Sequence, residues 1–385
     1  MRFRLLTPIA VAAALAAVAA FVQGGGSAPA LPRISVLALA SQVSSVKALR
    51  FSGTVALSVD IGLPKLPKLA VSGGADPVRL LSGVHYLQVA ADTTGGVERQ
   101  RVAFLETFSE YDAVRNGFDL WIWDSTRQLA RHGSVGALAS ALLAFATPGE
   151  LLKSFTGPEA VKTVLFDTGL ASGLTTRVAG RDAYLLQAQP RAAGSTIGEI
   201  RIAVDAATGM PLSVAVYPVG SSTAAIKAEF TSLSFATSDR ALTFRPPPGA
   251  TVVEEHAPQV TVKPYRGAGS GWTAAVEVPN FDARAVVQGL GKAPGDANPD
   301  QGAPDSGGSA SSGPAGVFAA LAGTPGTPLQ SYLRMMLSAG TPSPAGMVYS
   351  SRLISAVFTP DHRFYLAFTT PETLIKTVEA DSAGH

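Results

Sequence analysis

The sequence predicts an α+β protein: a strongly curved antiparallel half-open β-barrel with a helical lid, followed by a small α+β C-terminal domain. Three observations predict it. Many short alternating segments separated by turn residues argue an antiparallel meander. A helical stretch interrupts that series in mid-sheet, and after residue 256 the composition shifts toward a long Gly/Pro/Ser/Asp-rich run. A sheet of so many strands must curl or close, because twist accumulates from strand to strand. The interrupting helices then lie across the open side. At 385 residues the chain can bury a large core and a smaller one.

The expected division is residues 1–30 as an export signal or N-terminal anchor, 31–256 as the half-barrel, and 257–385 as the small domain with a low-complexity insertion at 291–316. Arg2 and Arg4 precede an apolar run from Leu5 to Val22, and Ala28 and Ala30 stand in an A-x-A cleavage pattern. Cleaved or kept as a spanning anchor, this segment places the rest of the chain outside the cytoplasm, secreted or held in the cell envelope.

A helix is expected from about Arg33 to Leu49, with Val36, Leu39, Val43 and Val46 on one stripe. Strands follow in "RFSGTVALSVD", "GVHYLQVAA", "RQRVAFLE", "EYDAVRN", "FDLWIWDS" and "RQLARHG", with turns at Gly95-Gly96 and Asn116-Gly117. "ALASALLAFA" is helical, and Thr147 with Glu150 and Thr156 with Glu159 form capping-box patterns that start two more helices. Strands resume in "AYLLQAQP", "IGEIRIAVDAATGMPLSVAVYP", "AAIKAEFTSLSF" and "LTFRPPPG". In the small domain "GSGWTAAVEVP" reads as a strand, "RLISAVFTPDHRFYLAFTT" as a hairpin around Pro360-Asp361, and "PETLIKTVEA" as a helix capped by Thr370.

Composition excludes several function classes. The net charge is +2 with the basic residues dispersed, which argues against a nucleic-acid surface. Zero cysteines excludes disulfides, thiolate metal sites and a lipid-modified N-terminal cysteine. The five histidines, His85, His132, His256, His362 and His385, stand singly without metal-ligand spacing, and read as solvated or packed side chains. No G-x-S-x-G elbow occurs, and "QGLGK" lacks both the first glycine and the final Ser/Thr of a phosphate loop. The chain reads as a non-enzyme with no cofactor and no metal. Charged residues are only 15% and the mean hydropathy is +0.25, which suits either Ala-rich usage or an apolar cavity.

"VAGRDAYLLQAQP", "GEIRIAVDAATGMPLSVAVYP" and "AEFTSLSF" together resemble the second half of the large domain of the RseB/MucB family of envelope-stress regulators. "NGFDLWIWDS" is similar to a "dG..lW.yd" strand shared by that family and the lipoprotein carrier LolA. "GWTAAVEVPNF" and "MVYSSRLISAVF" resemble strands of the RseB small domain, although "YSSRL" lacks the Asp-Gly of the pattern. The resemblance implies a half-open barrel that accepts acyl chains, with a helical lid and a smaller domain.

On that expectation Trp121 and Trp123 face the concavity as ligand wall, the alternative being ordinary core. Ile200, Ile202, Val204 and Phe230 join the lining, and Leu138, Leu142 and Phe145 form the lid. The expected function is a carrier for the acyl chain of a lipid or lipoprotein. The alternative is an RseB-like sensor acting on a membrane-protein partner such as an anti-sigma factor; a purely structural envelope protein is a third option.

Overall fold

The computed structural model describes residues 28–44, 46, 49–63, 80, 82–106, 108–134, 168–255, 266–269, 271–278, 281 and 328–383. The apolar N-terminal run, the lid residues Leu138, Leu142 and Phe145, both capping boxes and the 291–316 insertion lie outside the described residues.

Two meanders build the large sheet. The first comprises β1 (Arg50–Val59), β2 (Gly83–Asp92), β3 (Arg99–Glu106), β4 (Ser109–Asn116), β5 (Asp119–Asp124) and β6 (Leu129–Ser134). The second comprises β7 (Thr168–Val178), β8 (Arg181–Pro190), β9 (Ile197–Asp205), β10 (Pro211–Pro218) and β11 (Ile226–Ser234). They join through antiparallel pairing of β1 with β11, and β12 (Thr251–Glu255) adds to β6. The order is β12-β6-β5-β4-β3-β2-β1-β11-β10-β9-β8-β7, so two edges remain unjoined and the sheet is open, as expected. It also curls. Arg181, at the start of β8, places its guanidinium 4.8 Å from the ring of Phe235, just past β11. Flat strands about 4.8 Å apart would hold those two strands about 14 Å apart.

Two elements depart from the expected series. Strand β7 escapes the pattern because Gly169, Ala171 and Gly173 leave no apolar alternation, and its pairing with β8 shifts register between Ala171 and Leu174. "LTFRPPPG" is not a strand. Three prolines in succession lack the N–H groups a ladder needs. Because β11 lies in mid-sheet while β12 pairs beside β6, the connecting residues must cross the first meander. They do so as a strap: the Thr237 carbonyl accepts from Arg50 Nε at 2.9 Å, Asp239 meets Arg50 and Arg99 at 3.0 and 2.9 Å, and Leu242 is buried. Strand β12 then runs parallel to β6, the exception in an otherwise antiparallel sheet.

Helix α1 (Val36–Ser44) is shorter than the expected Arg33–Leu49. Ser35 starts it, its Oγ accepting from Ala38 N at 3.2 Å. Leu39 is fully buried against Tyr184 and Val204, with Val43 packed alongside.

The small sheet contains β13 (Arg266–Ala268), β14 (Ala275–Val278), β15 (Thr341–Ser343), β16 (Gly346–Ser350), β17 (Ser355–Phe358) and β18 (Phe364–Ala367), in the order β13-β14-β18-β17-β16-β15. Helices α2 (Pro328–Ala339) and α3 (Pro371–Ala383) pack on β16 and β17. The hairpin around Pro360-Asp361 and the helix after Thr370 form as expected, with Thr370 Oγ1 accepting from Thr373 N at 3.4 Å. "GSGWTAAVEVP" is only half strand. Gly271–Thr273 is a 3-10 turn that buries Trp272, whose Nε1 donates to Thr168 Oγ1 of β7 at 2.8 Å.

That bond belongs to a wide seam between the sheets. Tyr349 donates its hydroxyl to the Gly62 carbonyl at 3.0 Å, and Ser351 to that of Ile61 at 2.7 Å. Arg352 pairs with Asp60 and donates to Ser221 Oγ and the Thr223 carbonyl at 2.9 and 2.6 Å. Thr196 N donates to Phe368 O, and Thr370 N to Gly194 O at 2.7 Å. Apolar side chains cross the seam as well: Ile61, Ile197 and Ile226 belong to the same buried cluster as Trp272, Leu353, Phe358 and Phe368. One apolar cluster therefore spans both sheets, while a second, with Val357, Tyr365 and Leu374, lies within the small sheet and α3.

Candidate functional site

Residues directly opposed in an antiparallel pair lie on the same face of a sheet. Tracing the register gives one apolar face that runs from β5 to β9. Ile202, Val214, Ala228 and Leu57 form one cross-strand row. Phe230, Val55, Leu87 and Phe104 form the next, and Gly53, Val89, Val102, Ala113 and Ile122 a third. All are buried except Ile202 and Gly53, which are partly so. Phe51 extends this face at one end, its ring edge-on to Phe230 at 6.0 Å.

The opposite face carries polar ladders on the second meander. Arg201 pairs with Glu199 at 2.8 Å and lies over the Tyr217 ring, Gln187 donates to Glu199 at 2.6 Å, and Lys227 pairs with Glu229 at 2.8 Å. On the first meander Arg99 meets Asp92 at 2.6 Å, with burial of the carboxylate outweighed by bonds from Thr94 and Arg99 that hold its pKa well below the usual range. On the second meander these ladders face water; on the first, the same face also buries Ala103, Val114 and Trp123.

The expected lining residues fall on both sides. Ile200, Ile202 and Phe230 belong to the apolar face. Val204 shares it but is wholly buried beneath α1, so it is helix-packing core. Trp121 and Trp123 stand on the other face, opposite Val114 and Asp112, which corrects the expectation that they share a wall with Ile200 and Phe230. Strand β5 is apolar on both sides, so its own pattern could not choose, and a shift of one residue exchanges the faces. The strap decides the matter. Phe244 lies 5.6 Å from the Trp121 ring and 6.2 Å from Trp123, covering the pair from the polar side. Ile122 and Leu120, on the opposite side of β5, are buried.

Beside Trp121 the structure assembles a cluster that sequence reading left as a solvated or packed histidine. His132 stacks on the indole at 3.9 Å and 14°, with Nδ1 at 2.7 Å from Glu254 of β12 and Nε2 at 2.7 Å from Asp119 of β5. Arg131, on the other face of β6, pairs with Glu255 at 2.7 Å. The residues of β12 are otherwise exposed, so these two ion pairs and the backbone ladder hold it.

Polar groups bound the apolar face at its ends. His85 and Glu106 stand at one, the imidazole 3.6 Å from the carboxylate and edge-on to Phe104 at 5.4 Å. Gln100 and Arg115, directly opposed on β3 and β4, stand at the other. Gln100 is only 3% exposed. Sequence reading passed over it because a lone glutamine in "RQRVAFLE" looks like an ordinary solvent-facing position; only register puts it among Ala91, Val89 and Val102.

No protein-family model matches this chain, and no curated protein matches it. Among solved structures it is similar to MucB, at 14% identity and a TM-score of 0.42 over 89% of this chain and 94% of that one. It is similar to the Pseudomonas aeruginosa MucA/MucB complex structure at 17% identity and a TM-score of 0.36, covering 62% of this chain and 72% of that one. A LolA superfamily protein from Nitrosomonas europaea is similar at 14% identity and a TM-score of 0.20, covering 49% of this chain and 73% of that one.

Proposed function

We propose that this is an exported cell-envelope protein that binds the acyl chain of a lipid or lipoprotein on the apolar face of its large sheet, and that it acts as a carrier. The observation that carries the reading is that face: an uninterrupted apolar surface spanning both meanders, backed by a polar ladder and bounded by polar residues at its ends. The charged, apolar-run N-terminus supports export. Burying a dozen methylenes contributes on the order of 10 kcal/mol gross, against an association cost of about 4–15 kcal/mol. Net affinity is then moderate, which suits a protein that must release its cargo.

Native mass spectrometry of the purified protein, together with titration of a fluorescent fatty-acyl probe, tests this. Bound acyl species are expected in the parent. Ile202→Asp, a partly exposed position on the apolar face, should cut probe affinity at least tenfold, whereas Trp121→Phe on the polar face should leave it unchanged. A parent protein that carries no lipid and binds no probe ends the acyl reading.

The seam favours a second reading, a sensor that signals to a membrane-protein partner such as an anti-sigma factor. Any rearrangement of the large sheet at Ile61 or Thr196 is felt directly by Ser351 and Leu353 of the small one. Pull-down from envelope membranes that recovers no membrane protein would leave only the carrier.

A further inference from the structure

Resting on the acyl-binding reading, we infer that the site selects acyl chains whose head group bears a hydrogen-bond donor, an amide N–H or a hydroxyl, and that Gln100 receives it. Gln100 shares the apolar face with Val102 and Val89, lies opposite Ala91 on one side and Arg115 on the other, and is 3% exposed. Its Oε1 is buried without a hydrogen-bond partner. A buried carbonyl oxygen left without a donor is costly, and this one lies in the wall proposed to receive the ligand. The neighbouring cation does not serve it: Arg115 donates Nε to the Gly117 carbonyl at 2.8 Å and turns its guanidinium toward Glu98, 3.5 Å away.

The chemistry of the acceptor sets the ligand class. An ester or a carboxylate presents only acceptors to Oε1 and leaves it unsatisfied. An amide N–H or a hydroxyl at the head of the chain supplies the missing donor, while the hydrocarbon runs along Val89, Val102 and Ala113 away from this polar end.

The test displaces the fluorescent acyl probe with three ligands of matched chain length: N-methylpalmitamide, hexadecanol and methyl palmitate. Wild-type protein is expected to bind the amide, the alcohol or both about tenfold more tightly than the ester, and the better of the two identifies which donor the site takes. Gln100→Met, which keeps the side-chain shape, should erase that preference and leave the thermal midpoint equal or higher, because it removes an unsatisfied amide. A purely structural glutamine would lower the midpoint instead. Equal wild-type affinities for the three ligands, or a preference that survives Gln100→Met, overturns the inference. Binding of none of the three strikes the acyl reading itself.

Discussion

At the scale of single residues, His132 shows how charge can hold a strand. Carboxylates only accept hydrogen bonds, so an imidazole facing Glu254 with one nitrogen and Asp119 with the other must donate from both and be charged. Partial burial opposes that charge, but the two carboxylates outweigh it and hold the pKa above its ordinary value. A raised folded pKa means that the stabilisation is complete below about pH 6.5 and is lost as pH rises through the folded value. Both carboxylates are at least half exposed, so each pair is worth below about 1 kcal/mol. Raising the pH from 6 to 9 is therefore expected to lower the amide protection factors, that is, exchange normalised to the intrinsic rate at each pH, across residues 251–255 and to shift the fluorescence of the stacked Trp121. His132→Phe should remove the pH dependence of both; protection in β12 that ignores pH in the parent would contradict the clamp. Asp112 also has a raised pKa, so its contribution too falls as pH rises, but the cause is different. Burial pushes its carboxyl up to about 6, against Arg101, whose Nε donates to Oδ1 at 3.0 Å while Nη2 lies 2.6 Å from Oδ2 off the hydrogen-bonding line.

At the scale of elements, the seam depends on close backbone approaches. Gly62 adopts φ +77°, and a Cβ there would stand 2.8 Å from the backbone nitrogen of Arg352. Gly194, at φ +88°, leaves no room for a Cβ beside Thr373. Gly62→Ala should destabilise the protein by about 1 to 3 kcal/mol through strain and lost docking. Urea denaturation checks the size, and faster hydrogen exchange at residues 60–63 and 349–354 would place the damage at the seam. Ser351-Arg352 of "YSSRL" stands where the RseB pattern has Asp-Gly, and Arg352 is the one that clamps Asp60, Ser221 and Thr223. Element by element, the sequence was informative where turns and alternation agree: the hairpin at Asn116-Gly117, the strands "RQRVAFLE" and "AYLLQAQP", and the capped α3 stand where their patterns put them. It was uninformative at β7, where glycines erase the period, and at the strap, where one phenylalanine before three prolines carries no sign of what it will cover.

At the scale of the whole molecule, the shared core predicts one cooperative event. Apolar residues of both sheets belong to a single buried cluster, so calorimetry should give one unfolding transition, not two. A pair of well-separated transitions would show that the seam contributes little. The sequence by itself determined the strand-rich α+β class, the alternation that makes the sheet apolar on one side, and the lack of thiolate chemistry, because each depends on residue type and local spacing. Only the tertiary structure decided which face Trp121 and Trp123 occupy, that Gln100 sits in an apolar wall, and that His132 meets Asp119 and Glu254. Those outcomes follow from strand register and from the path of the strap across the sheet. The strap and the pairing of β12 with β6 join residues more than a hundred positions apart, and the register of β5 is ambiguous because both its faces are apolar, so no local pattern encodes either.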